Sequence, residues 1–130
     1  MLHGAATVQP GRLWVVVDGP HDGLVQRFST TIDGKPYRSD ETLAYDARSR
    51  TFVQREIDQN GARIVLAAKA PYAPSMTFEG LLSLAKGRLY RMRAKMSVDA
   101  AGRKLETSTS FFVAAAKGYV EQSRGICTKV

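Results

Sequence analysis

The sequence has few of the residue types on which most site chemistry depends. Its 130 residues include one cysteine, Cys127, and two histidines, His3 and His21. A lone cysteine excludes an internal disulfide and a cysteine-rich zinc site, and no histidine lies near it in the sequence to activate the thiol. His21 stands between Asp18 and Asp22 in a turn-like loop, where a solvated side chain is favoured over a metal ligand. We therefore expect neither a metal nor a cofactor.

Long hydrophobic runs and short catalytic motifs are also missing. No apolar run approaches the roughly 18 residues of a membrane span, and the chain does not open with a basic segment followed by an apolar one. It has no phosphate loop, dinucleotide fingerprint, serine-centred elbow or zincin motif. These absences predict a soluble, cytoplasmic protein and exclude the enzyme classes that such motifs identify.

What is present is an ordinary globular composition with an excess of positive charge. Hydrophobic residues make up 44% and charged residues 24% of the chain, which predicts one folded domain over residues 1–130, with residues 1–10 as a mobile tail. The net charge of +7 favours anionic partners. No basic run is long enough to form a tail, so a solvated basic exterior is favoured and nucleic acid is not the expected partner.

The most regular feature is an aspartate at the end of successive apolar segments, often followed by glycine. Aspartate at the first position of a turn accepts bonds from the backbone ahead of it, and glycine supplies positive φ. Such turns between short apolar segments predict antiparallel hairpins. The turns begin at Asp18, Asp33, Asp46, Asp58 and Asp99.

Between these turns the chain divides into nine segments with strand composition or alternation. Their regular spacing predicts an all-β fold, and closure into an antiparallel up-and-down barrel hides sheet edges better than a Greek-key sandwich does. Short helices over "PSMTFEGLLSLAKGRL" and "FFVAAAKGY" are the alternatives. The predicted strands cover residues 12–18, 24–32, 39–46, 50–58, 62–70, 75–84, 88–98, 104–113 and 119–130.

The segment "YRMRAKMSV" shows the clearest alternation, with an apolar row and a basic row on opposite faces. The basic row, Arg91, Arg93 and Lys95, has no aromatic residue of its own parity in this segment, which argues against a nucleic-acid platform. The apolar row contains Met92 and Met96, and methionine adapts to irregular apolar ligands. The sequence therefore favours the apolar row as the binding surface.

The leading interpretation is a non-catalytic barrel that holds a small apolar or amphipathic ligand in its interior. A packed core without a cavity is the competing possibility. The residues predicted to line the ligand site are Trp14, Phe52, Phe78, Tyr90, Met92, Met96 and Phe111. Two further functions stay open: a small isomerase, cyclase or hydrolase that uses an inward carboxylate of Glu56, Glu79 or Glu121, and an interaction module that uses the basic face.

Residues 11–63 resemble a family of bacterial lipocalin-like, calycin-type domains of unknown function. The resemblance rests on "GRLWVVVDGP", on Tyr45-Asp46 followed by Arg50 and Phe52-Val53, and on the turn Asp58-Gln59-Asn60-Gly61. The closing segment "GICTKV" is similar to the last strand of that family. The resemblance implies the barrel fold and small-molecule binding, and it assigns a role to no residue.

The sequence departs from the family pattern before residue 11. Family members begin with another Gly-x-Trp strand and hairpin, whereas only "MLHGAATVQP" precedes the match. This departure predicts a barrel that is opened at its first strand, or one that a second copy of the chain completes as a homodimer.

Overall fold

The computed structural model describes the backbone of residues 11–18 and 23–129 and the side chains of residues 24–129. The predicted mobile tail, His3, His21 and most of the first aspartate turn lie outside these ranges.

Within the described ranges, nine antiparallel strands form one sheet in which each strand pairs with its neighbours along the chain. This up-and-down order confirms the all-β meander predicted from the alternation and the aspartate turns. The strands are β1 (Gly11–Asp18), β2 (Gly23–Ile32), β3 (Lys35–Asp46), β4 (Thr51–Asp58), β5 (Arg63–Lys69), β6 (Ser75–Ser83), β7 (Leu89–Val98), β8 (Lys104–Val113) and β9 (Gly118–Thr128).

The aspartate turns connect the strands as their side-chain chemistry requires. Asp58 Oδ1 accepts bonds from the backbone N–H groups of Asn60 and Ala62 at 2.8 and 2.9 Å, and Asp99 closes the β7–β8 hairpin in the same way. At the β2–β3 hairpin, Asp33 and Gly34 both have positive φ, as a type I′ turn requires. The turns therefore set the register of the hairpins locally.

The two segments considered as alternative short helices form no α-helix in the described residues. The first candidate is occupied by β6, where Met76 and Phe78 alternate with exposed residues. In the second, a single 3-10 turn over Ala114–Ala116 joins β8 to β9. Tertiary pairing with the flanking strands overrides the helix propensity of the alanines.

The sheet has an inner face that carries the core and an outer face that is largely polar. The core consists of Leu66, Ala68, Phe78, Met92 and Ala94, from the central strands β5, β6 and β7. Gly80 lies between Leu66 and Met92 in the same inner row. A Cβ atom at Gly80 would overlap the backbone carbonyl oxygen of Val65, so glycine allows β5 and β6 to approach closely where the sheet curls.

The curled sheet is an open half-barrel. In the described chain, strand pairing runs from β1 to β9 and no ladder joins these two strands, so they are the edges of the sheet. This agrees with the prediction of an opened barrel.

Candidate functional site

The inner face brings together six of the seven residues predicted to line a ligand site. Phe78 and Met92 are buried in the core, while Phe52, Met96 and Phe111 are partly buried against it. Tyr90 is 38% exposed at the rim, and its ring meets that of Phe111 edge-on at 6.3 Å between centroids. The seventh, Trp14, lies in β1 in register with Arg27, and its side chain lies outside the described residues.

A second, polar region occupies the inner face of β3 and β4. Glu41 and Glu56 are directly opposed across these two strands, so their Cβ atoms are expected about 5 Å apart. On the same face Ser39 and Gln54 are both buried. Gln54 pairs in register with Leu43 on one side and Leu66 on the other, so it marks the boundary between the polar region and the apolar core. We call Glu41, Gln54 and Glu56 the acceptor cluster.

Burial and mutual repulsion change the acidity of the acceptor cluster. Burial, together with the charge of Glu56 across the ladder, raises the pKa of Glu41 to about 7, and a hydrogen bond with the Gln54 side chain opposes this rise. Burial and the nearby Asp58 raise the pKa of Glu56, against a hydrogen bond with Ser39. Among the described residues no lysine or arginine contributes to either shift. The two carboxyl groups therefore lack a compensating cation.

Gln54 has an unsatisfied acceptor in this region. Its side chain is only 8% exposed, and its Oε1 atom is buried with no hydrogen-bond partner among the described residues. Because a carboxylate can only accept, the bond between Gln54 and ionised Glu41 uses the amide nitrogen of Gln54. A buried orphan acceptor costs about 1 to 3 kcal/mol, and in native structures such a group commonly has a partner.

A cavity of about 230 Å³ adjoins the cluster at the β4–β5 end of the inner face. Glu56, Tyr37 and Asp58 form its polar wall, and Ile64 and Leu82 form part of its apolar wall. Tyr37 donates a hydrogen bond to Asp58 at 3.3 Å, and burial and the charge of Asp58 raise the pKa of Tyr37 to about 12. Its hydroxyl therefore stays protonated near neutral pH.

Charge is divided between the two faces of the sheet. The inner face carries Glu41, Glu56 and Asp58, and Lys35 at the β2–β3 hairpin is the one described basic strand residue that shares its parity. The basic residues of the outer face are Arg27, Arg38, Arg55, Arg63, Lys69, Arg91, Arg93, Lys95, Lys104 and Arg124. The basic strand residues therefore lie mainly on the outer face of the sheet, and the inner face is acidic.

The three strand carboxylates that the sequence suggested as catalytic groups lie on different faces of the sheet. Glu56 points inward, but Glu79 pairs with Arg93 at 2.7 Å and Glu121 pairs with Arg124 at 3.0 Å on the outer face. Glu41 was missed, although it has the same parity as Leu43 and Tyr45 in β3, and that alternation placed it on the inner row.

Aromatic residues do accompany the basic row, so the sequence argument that it lacks them is wrong. The Arg91 guanidinium lies 4.5 Å from the Phe112 ring centroid, and that of Arg93 lies 4.0 Å from the Tyr119 centroid. The two rings meet edge-on at 5.7 Å. They come from β8 and β9, and only the pairing of these strands brings them beside β7. We call Arg91, Arg93, Phe112 and Tyr119 the outer cluster.

Other candidate chemistry is sparse in the described part of the chain. No three His, Cys, Asp or Glu side chains there are grouped so that they could hold a metal ion, and Cys127 is half-buried in β9. None of the helical residues in the described ranges forms a segment with the length and hydropathy of a membrane span. Comparison of the chain with protein-family models, with curated proteins and with solved structures finds no match.

Proposed function

We propose that the chain is a small-molecule-binding half-barrel, related to the lipocalin-like domains, that holds an amphipathic ligand against its inner face. One observation carries the proposal: the apolar wall of Phe52, Leu66 and Met92 meets the acceptor cluster at the buried Gln54. A surface that is apolar over most of its area and carries a few convergent polar groups is typical of ligand sites. The adjoining cavity supplies additional volume.

Native mass spectrometry of the purified chain tests this proposal. We expect a bound molecule whose mass disappears on denaturation, and we expect a neutral naphthylamine dye to fluoresce on binding. Phe111→Ala is expected to weaken dye binding at least fivefold because Phe111 borders the inner core. Phe112→Ala is the matched control, since the next side chain along β8 lies on the outer face. Absence of both a ligand and dye binding would reject the proposal.

The same spectra report the number of chains in the particle. The sheet edge β9 exposes Ile126 to 58%, and an open edge can add a strand from a second copy. We propose a homodimer paired through this edge as the completed form of the barrel. Monomers throughout the micromolar range would reject it.

An acid–base enzyme is the second candidate, favoured by the position of Glu56. This carboxyl group lines the cavity, and its pKa is raised, as expected of a general acid or base. Glu79 and Glu121 are removed as candidates because they form exposed ion pairs. Conversion of a co-purified molecule by the native chain, lost in Glu56→Gln, would favour the enzyme over the binder.

The outer cluster favours a third candidate, a module that binds single-stranded nucleic acid. Guanidinium planes and aromatic rings are surfaces on which bases stack, and Arg91 has no carboxylate partner among the described ion pairs. Fluorescence anisotropy with a labelled oligonucleotide is expected to show affinity that falls steeply with salt and falls again in Arg91→Gln. Binding that is unchanged between 50 and 500 mM salt would contradict this candidate.

A further inference from the structure

The acceptor cluster identifies the chemistry that a ligand must bring to the inner face. Glu41 and Glu56 are opposed across a strand pair, and the amide nitrogen of Gln54 is used by Glu41, which leaves Oε1 of Gln54 as the free end of that side chain. Above pH 7, where Glu41 is ionised, all the unsatisfied capacity here is therefore for accepting hydrogen bonds. A ligand group that fits must donate.

The charge of this region indicates that the donor is a cation. Two carboxyl groups lie on a half-buried face, and no described lysine or arginine acts on them. The strand residues that carry positive charge lie almost entirely on the outer face. An anionic ligand would add a further negative charge to this region, whereas a cation would offset the repulsion between the carboxylates present.

The number of acceptors favours a primary amine over other cations. A protonated primary amine has three N–H donors, and the cluster offers one acceptor group from each of Glu41, Gln54 and Glu56. A divalent metal ion prefers six or more oxygen ligands, and the described residues contain no group of three His, Cys, Asp or Glu side chains placed to hold one. The apolar core that begins at Leu66 is suited to the hydrocarbon part of the same molecule.

We infer that the ligand of the inner face is an amphipathic primary amine, with its ammonium group held by Glu41, Glu56 and Gln54 Oε1 and its hydrocarbon part laid along Leu66 and Met92. This inference rests on the proposed function, because it names the head group of the ligand in that same site. It assigns a partner to the buried acceptor that the chain leaves unpaired.

Three ligands with the same hydrocarbon chain test the inference: octylamine, octanol and octanoate, titrated calorimetrically into the native chain at pH 7.5. Octylamine is expected to bind at least tenfold more tightly than octanol, and octanoate most weakly. Equal affinities for octylamine and octanol would overturn the amine assignment and leave the binding function standing. Preference for octanoate would overturn it too. Failure of all three to bind would reject the proposed function itself, and the amine assignment with it.

Variants of the acceptor cluster locate the head group. Glu41→Gln and Gln54→Leu are each expected to reduce the ratio of octylamine to octanol affinity at least fivefold. Glu106→Gln is the control, since it removes the same charge from an exposed outer-face residue and should leave the ratio unchanged. Because Glu41→Gln removes a repulsive charge, it is expected to fold.

An affinity ratio that falls equally in Glu106→Gln would show only a general charge effect and would overturn the inference. Calcium binding that competes with octylamine would assign the cluster to a metal instead.

Discussion

Glu41 and Glu56 face each other across β3 and β4 on the inner face of the sheet, and no described cation offsets their charge. Two carboxyl groups so placed favour a state in which one of them keeps its proton. Burial and, after it, the charge of Glu56 raise the pKa of Glu41 to about 7. Its charge state therefore changes close to neutral pH, and both stability and binding are expected to change with it.

Stability is expected to fall as the pH rises from about 5 to 8. The pKa of Glu41 is about 7 in the folded chain against 4.5 for a free carboxyl group, so the folded state binds more protons between these values. The contribution of Glu41 to the free energy of unfolding is then largest below pH 4.5 and decreases as the pH rises through 7, by up to about 3 kcal/mol. The raised pKa of Glu56 acts in the same direction.

Glu41→Gln should remove much of this dependence. At pH 8 we expect it to raise the free energy of unfolding by about 2 kcal/mol, measured by urea denaturation, and to flatten the profile between pH 5 and 8. Glu106 is exposed and forms an ion pair with Lys104. The variant Glu106→Gln loses this pair and should not stabilise the chain at any pH. A native chain with equal stability at pH 5 and pH 8 would contradict the raised pKa of Glu41.

Gly80→Ala is expected to destabilise the sheet because the added Cβ would overlap the Val65 carbonyl oxygen, a backbone atom that cannot turn away. We expect a loss of about 2 kcal/mol or more. Gly118→Ala is the control: the nearest atom to its added Cβ is the Ala116 carbonyl oxygen at 4.0 Å, so its effect should stay within about 0.5 kcal/mol. Equal denaturation midpoints for the two variants would show that β5 and β6 are not in close contact at Gly80.

Leu66→Ala and Leu81→Ala compare the two faces of neighbouring strands. Leu66 is 1% exposed on the inner face and Leu81 is 45% exposed on the outer face. We expect losses of about 3 kcal/mol for the first and about 0.5 kcal/mol for the second, measured by urea denaturation. Similar losses would mean that a partner or a second copy covers the outer face in solution.

Features set by local chemistry could be predicted from the sequence. The turn at Asp58 depends on its own carboxylate and on N–H groups within four residues of it. The alternation of Met92 and Met96 with Arg93 and Lys95 assigned faces within β7 before any pairing was known. Strand number and order followed from such signals because a meander pairs each strand with the next.

Features that depend on register between strands could not be predicted in the same way. The opposition of Glu41 and Glu56 requires the exact length of the turn after Asp46, because a shift of one residue would place Glu56 on the other face. The contact of Arg91 with Phe112 likewise depends on the pairing of β7 with β8. The alternation within one strand does not show which residues of the adjacent strands lie beside it. For this reason the sequence did not reveal the aromatic residues beside the basic row.

Binding of octylamine is expected to strengthen as the pH rises from 6 to 8. The ammonium group stays charged throughout this range, whereas Glu41 loses its proton near pH 7, so the site becomes more negative as the pH rises. Tyr37 stays neutral because its pKa is about 12. Below pH 6 the affinity should fall by up to about tenfold per pH unit as Glu41 is protonated.

Titration calorimetry in two buffers of different ionisation enthalpy checks the mechanism. At pH 7, binding to the native chain should release a fraction of a proton, and binding to Glu41→Gln should release much less. Proton uptake by the native chain, or an affinity independent of pH, would show that the ammonium group does not meet Glu41.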